Sequence, residues 1–348
     1  MDSIVKVIGL DIAKNVFVAV GHDAQGKIVL KKKLSRSEVL PTFANMVATK
    51  IGIEACAGSH YWARQLKALG HDVILIAAQH TRAYVTGNKN DTNDAAAIAE
   101  AAARAATKTV PMNSETQQDL QILHRARQAL MQERTAMICR IRSFAGEYGQ
   151  VFAVGVAQFY KGFDRWMADE NNGLSGSAIR SFLELKTQLT DKEERIDDYD
   201  RRLAQAAKED PRAAQLMETP GVGKLIATAV LAAVADLHHF KQGRDFAANL
   251  GLTPSEHSSG GKQRLGHITK RGDGYLRTLL IHGARSALRS AGDKPDKLLV
   301  WAKKLAERRG FKVATVALAN KMARVIWAMM AHGRQYVPVW SNGTTRPA

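Results

Sequence analysis

The chain has 348 residues, 45% of them hydrophobic, and a formal net charge of +17; that length exceeds one typical core and predicts two or three domains. Its two cysteines, Cys56 and Cys139, exclude a disulfide framework and a four-cysteine zinc site and suit a reducing cytoplasm. Charges interrupt the apolar N-terminus, unlike a signal peptide, and the longest apolar run, 225–237, is too short to span a bilayer, so no membrane partner is expected.

Residues 4–10, 15–21 and 26–33 alternate or are Val/Ile-rich and predict three strands joined as an antiparallel meander. A helical stretch at 36–48 follows, then a strand at 50–56, a helix at 59–69, a strand at 72–78 and an alanine-rich helix opened by Asp91. The order βββαβαβα predicts a mixed sheet with helices on its faces.

From 113 to 208 the pattern changes to long polar helices. Leu120, Leu123, Leu130, Met137, Ile141 and Phe144 form one apolar stripe, and Phe182, Leu185, Leu189, Ile196, Tyr199 and Leu203 another, which predicts an antiparallel helical pair. The same stripes suit either packing within one chain or a dimer seam. The turn-rich segment 160–177 between them reads as a flexible elbow.

A third, helical unit begins near 212 with an apolar helix, the turn Pro220-Gly221-Val222-Gly223 and a second apolar helix starting at Lys224. Such a glycine turn before a helix N-terminus presents backbone N–H groups to a phosphate, or is a plain helix connection. A polar Gly/Ser-rich loop spans 253–274. Residues 251–348 hold 18 Lys and Arg against 5 Asp and Glu, interleaved with apolar helix positions. That is a folded basic surface, suited to a polyanion.

Against this basic background the acids are conspicuous. Asp91 and Asp94 open the alanine-rich helix; each alone is explained by helix capping or by the helix dipole. Their i, i+3 spacing also puts both carboxylates on one face, where they can share a cation. Asp11 ends the first predicted strand and Glu54 closes the fourth, positions where a desolvated carboxylate needs a partner. If the first and fourth strands are neighbours, Asp11, Glu54, Asp91 and Asp94 converge, and two Mg²⁺ ions would neutralise them and serve phosphodiester chemistry.

This arrangement resembles the RuvC-like branch of the ribonuclease H superfamily. The stretches 9–17, 53–84, 88–100, 219–231 and 245–284 resemble, in this order, the DEDD transposases of the Piv-like IS110-type family, over nearly the whole chain and least at 150–180. Cys56 departs from the pattern, which favours a small hydroxyl residue there. The resemblance implies an α/β plus all-α fold: a RuvC-like catalytic domain at 1–110, a helical coiled-coil linker at 111–210, a helical transposase domain with a helix-hairpin-helix at 211–338, and a tail at 339–348. It also implies a DNA recombinase of a mobile element in the bacterial cytoplasm, at the nucleoid.

In that family a serine serves as nucleophile on DNA, and Ser259 lies at the matching position, with Ser258 beside it. Gly221, Gly223, Lys224, Lys262, Arg264, Lys270, Arg271 and Arg277 are then the expected nucleic-acid contacts. The implied partners are donor and target DNA, a structured guide RNA and further copies of the chain in a dimer or tetramer. Two other readings of the residues stay open: a RuvC-like nuclease in which water attacks and Ser259 is dispensable, and a non-catalytic nucleic-acid binder, which gains nothing from four clustered acids.

Overall fold

Three hairpin-linked strands open the chain, β1 (Val7–Ile12), β2 (Val16–His22) and β3 (Ile28–Ser35), each antiparallel to the next. The computed structural model describes residues 4–88, 90–234, 236–292 and 296–338; the tail expected at 339–348 lies outside the described residues. Two compact units, 1–114 and 115–348, make up the chain.

The first unit continues with α1 (Val39–Ala44), β4 (Lys50–Glu54), α2 (Ser59–Ala68), β5 (Asp72–Ile76), α3 (Ala78–Thr81), α4 (Asp91–Ala103) and β6 (Thr109–Val110). Its six strands form one mixed sheet in the order β3-β2-β1-β4-β5-β6, with β1, β4 and β5 parallel. This agrees with the expected mixed sheet and is consistent with a ribonuclease H-like start. The helix expected over 36–48 is shorter, and the two-residue edge strand β6 carries too little pattern to be read from sequence.

Strand alternation divides the sheet into two faces. Ile8, Leu10, Ile51, Ile53 and Leu75 pack on one side with Phe43 of α1 and Trp62 and Leu66 of α2. Val7, Val18, Val20 and Ile76 face the other side, which α4 covers with Ala95, Ala101 and Ala102. Exposed Lys31, Lys32 and Lys33 line the edge strand β3, where charge discourages pairing with another sheet.

The second unit is built on α5 (Glu115–Gly146), α6 (Val156–Ala168), α7 (Gly176–Glu209), α8 (Pro211–Met217), α9 (Lys224–Ala233), α10 (Gly243–Asn249), β7 (Pro254–Glu256), β8 (Leu265–Ile268), α11 (Gly274–Arg289), α12 (Lys297–Arg309) and α13 (Phe311–His332). Helices α5 and α7 pack antiparallel within the chain, as the ion pairs Arg127–Asp200 (2.6 Å) and Lys192–Glu133 (2.6 Å) record. Met137, Ile141, Phe182, Leu189, Ile196 and Leu203 are buried; Phe144 is exposed, and Ala145 takes its place.

The elbow expected over 160–177 is a correction. Phe159, Phe163 and Trp166 recur at i, i+4 and i+7, so α6 forms and buries them with Phe152 and Phe182. Ring centroids there lie 5.0 Å apart for Trp166–Phe182 and 5.3 Å for Phe152–Phe159. The reversal is confined to 169–175, where Asp169 and Asn172 accept N–H bonds from Asn171 and Leu174. One helix among the described residues, α13, is long and apolar enough to cross a membrane. Its Leu318, Met322 and Ile326 are fully buried in the core of the second unit, which accounts for its composition.

Candidate active site

Two glycines seat the helix that carries half of the site. Gly9 of β1 and Gly52 of β4 are paired across the parallel ladder and share the face covered by α4. A Cβ on Gly9 would lie 2.0 Å from the Ala95 carbonyl oxygen and 2.3 Å from the Ala99 nitrogen; on Gly52 it would lie 2.7 Å from the Ala102 Cβ. Backbone of strand and helix therefore touch directly, as strand glycines permit, and the alanines of α4 suit this close approach.

By the same alternation, the next residue outward on that face is Asp11 on β1 and Glu54 on β4. The ladder pairs Leu10 with Ile53, so these two acids are neighbours at the strand ends, as expected if the first and fourth strands adjoin. Asp91 and Asp94 sit in the first turn of α4. The cap is supplied by Asn90, whose Oδ1 accepts from the Asn93 N–H at 2.8 Å, so neither aspartate is needed for it.

The four charges act on one another. Burial, followed by the negative charges of Asp94, Asp91 and Glu54, pushes the Asp11 carboxyl up to about 6. Such a conflict is relieved by a proton or a cation, and carboxylate oxygens are the donors that hard divalent ions take. Among the described residues, however, no three Asp, Glu, His or Cys side chains stand close enough to ligate one ion. The acids share an electrostatic site without closing a cage.

Two further residues belong to this neighbourhood: Thr81, which the sequence does not single out, and Cys56, which it marks only as a departure from the family pattern. Buried Thr81 donates from Oγ1 to Glu54 Oε2 at 2.5 Å, with the Ala78 carbonyl 3.0 Å from the same oxygen. It fixes the orientation of the Glu54 carboxylate. Cys56 has its thiol pushed up by burial, then by Glu54 and Asp11, which leaves it protonated and unreactive as a nucleophile.

The serine loop is a β-hairpin. Antiparallel β7 and β8 carry it, and Ser259 and Lys262 pair across the tip, with the Lys262 N–H donating to the Ser259 carbonyl at 3.1 Å. Gly260 and Gly261 both have positive φ, +58° and +74°, the requirement of a tight two-residue hairpin turn. Ser258 Oγ donates to Glu256 Oε1 (2.6 Å) and accepts from the Arg264 N–H (3.1 Å). Ser259 is exposed and, among the described residues, no hydrogen bond engages its hydroxyl. The structure thus separates two serines that the sequence leaves equivalent.

The expected nucleic-acid contacts divide similarly. Lys224, Lys262, Arg264, Lys270 and Arg271 are exposed; Lys270 takes a left-handed conformation, φ +55°. Arg277 is half-buried and its Nη1 donates to the carbonyls of Leu250 and Arg271, both at 2.9 Å, so it anchors the loop base. Gly221 packs against α11, where a Cβ would meet the Gly283 carbonyl oxygen at 2.6 Å. Close packing explains that glycine. Gly223 remains exposed before the N-terminus of α9.

Two family profiles match the chain. The one described as "Transposase IS116/IS110/IS902 family" covers residues 213–298, and a transposase profile of the DEDD, IS110 type covers residues 8–149. The chain is 42% identical to "Transposase for insertion sequence element IS1111A" of Coxiella burnetii, over 95% of this chain and 91% of that one. It is also 42% identical to "Probable family 20 transposase" of Pseudomonas aeruginosa, over 95% and 98%. To "Putative transposase y4pF/y4sB" of Sinorhizobium fredii it is 39% identical, over 94% and 85%.

Proposed function

The chain belongs to the IS116/IS110/IS902 family of transposases, enzymes of insertion elements, and from that premise we propose that it cuts and rejoins DNA with a serine nucleophile and a divalent metal. The observation that carries the reading is the quartet Asp11, Glu54, Asp91 and Asp94, where burial and then the charges of the other three raise the Asp11 carboxyl. A DEDD domain implies a divalent ion, and Mg²⁺, as two ions, is our assignment; the four carboxylates, which as they stand do not close a cage, would hold it on drawing together, and it would supply charge neutralisation at the reacting phosphate.

The rest is done by the chain's own side chains. Ser259 Oγ forms a bond to phosphorus while the bond from phosphorus to the adjoining deoxyribose oxygen breaks, leaving a phosphoserine–DNA ester and a free DNA hydroxyl. The serine proton passes to a carboxylate and leaves with that hydroxyl; the reverse attack by a different DNA hydroxyl completes strand exchange. Lys262, Arg264, Lys270 and Arg271 hold phosphate oxygens, and Gly223 with Lys224 at the start of α9 grips backbone phosphate in the manner of a helix-hairpin-helix. Acids and serine belong to different compact units, which suits a site completed between subunits of a dimer or tetramer. The chain presents basic surfaces and, among the described residues, no zinc finger, which suits sequence choice by a pairing guide RNA.

Cleavage of element-end DNA in Mg²⁺, followed by denaturing electrophoresis, tests this. The wild type should give a protein–DNA adduct that Ser259→Ala does not form and Asp11→Asn forms only weakly. The alternative is a nuclease in which water attacks and the second unit only holds DNA; cutting without any adduct, undiminished in Ser259→Ala, would establish it.

A further inference from the structure

On the sheet face opposite α4, the turn after β1, the segment from the end of β3 into α1 and the start of α2 border a recess lined by Asn15, Arg36, Ser37, Leu40, Tyr61 and Trp62. Trp62 is its floor, 4% exposed, meeting Phe17 edge-on at 4.9 Å and Tyr61 at 5.2 Å. The Arg36 guanidinium lies over the Trp62 ring, 5.0 Å from its centroid. Nη1 of Arg36 donates to the Lys14 carbonyl at 3.3 Å, and its backbone N–H to the Asn15 carbonyl at 3.1 Å, so the group is held in place. Tyr61 leaves 41% of its surface in solvent.

A lone exposed tyrosine is ordinary. Here it stands beside a guanidinium group, with the Asn15 amide and Ser37 hydroxyl in the same recess and with exposed Lys14, Lys31, Lys32 and Lys33 on adjoining segments. The acid of this segment, Glu38, is exposed, and its carboxylate accepts from the Ser35 N–H and hydroxyl, both at 2.7 Å. Aromatic and guanidinium surfaces in cationic surroundings are what a single strand uses to stack its bases, and amide and hydroxyl groups read base edges. Asn15 lies four residues beyond Asp11, so its Cα is within about 14 Å of the Asp11 Cα, or roughly four stacked base steps.

We propose that this recess takes an unpaired nucleobase of a strand passing the acidic site, stacked against Tyr61 and Arg36 with its edge met by Asn15 and Ser37. The proposal rests on the nucleic-acid reading above and adds to it a base subsite on the first unit. Because a base from DNA and one from RNA offer the same stacking chemistry, the test has an arm for each.

Full-length protein is titrated with a single-stranded DNA oligonucleotide spanning the element end, and with RNA of the same sequence, each carrying 2-aminopurine at one position at a time. Stacking should quench one position strongly, in whichever strand the recess accepts. Tyr61→Ala and Tyr61→Leu should abolish that quench and weaken binding about tenfold, the loss of one base stack, while Tyr61→Phe behaves as wild type. Arg36→Gln should weaken the same position, giving a second variant that leaves the Tyr61–Trp62 contact intact. If both strands bind and the quench survives in Tyr61→Leu and Arg36→Gln, the recess is not a base site although the nucleic-acid reading stands. If the wild type binds neither strand, both readings fall.

Discussion

Replacing Gly9 by alanine tests whether backbone contact between β1 and α4 is what holds the acids together. The added Cβ would stand 2.0 Å from the Ala95 carbonyl oxygen, about 1.4 Å inside ordinary van der Waals contact at 3.4 Å. Both neighbours are backbone atoms, so no rotamer change relieves the clash; the helix must move outward, carrying Asp91 and Asp94 from Asp11 and Glu54. Overpacking of this kind costs about 1–3 kcal/mol, and a displacement near 1 Å at a catalytic group costs about 100-fold in rate. Single-turnover cleavage and thermal unfolding should therefore show a folded Gly9→Ala protein, lowered in stability and at least roughly 100-fold slower, whose nucleic-acid affinity through the basic second unit persists. Gly146→Ala is the control, since nothing lies within 4 Å of a Cβ there. Wild-type cleavage and stability in Gly9→Ala would refute the claim that this glycine contact positions the site.

Thr81→Val removes the hydroxyl bonded to Glu54 and should weaken metal affinity about 10- to 100-fold, with Thr81→Ser restoring it; calorimetric Mg²⁺ titration reads this directly. Ser258→Ala loses two hydrogen bonds within the hairpin and should slow adduct formation without abolishing it, whereas Ser259→Ala should eliminate the adduct on the same gel. His124 gives a pH signature. Its Nε2 lies 3.1 Å from Thr228 Oγ1 and its Nδ1 3.0 Å from Tyr275 Oη, and burial, followed by Arg127, pushes it down to about 4 from 6.5. The unfolded chain therefore binds the extra proton between pH 6.5 and 4, and stability should fall through that window by about 3 kcal/mol; urea midpoints at pH 7 and 4.5, compared with His124→Gln, measure it.

The element order was legible because strand and helix periods differ and the meander's turns are short; Asp11 and Glu54 stood out as carboxylates ending apolar runs. Their adjacency required only that the first and fourth strands pair, and the three-residue spacing of Asp91 and Asp94, on a helix of 3.6 residues per turn, did the rest. What stayed hidden depends on surfaces brought together by the fold. Thr81 has no periodic signal, and its role exists only because α3 returns over the end of β4. Gly9 and Gly52 were open to a reader who asked why strands otherwise rich in Val, Ile and Leu each contain a glycine, since a glycine there marks a close approach; their shared register is visible only in the sheet. The elbow expected over 160–177 fails for the converse reason: asparagine and glycine at 171–173 signal a turn, but Phe159, Phe163 and Trp166 on one helix face bury enough apolar surface to order the segment before it. Side chains that contact one another locally in sequence announce themselves by spacing. A residue whose chemistry depends on a partner across a hairpin, as Ser258 depends on the Arg264 N–H, is distinguished from its neighbour Ser259 only when the strands are paired.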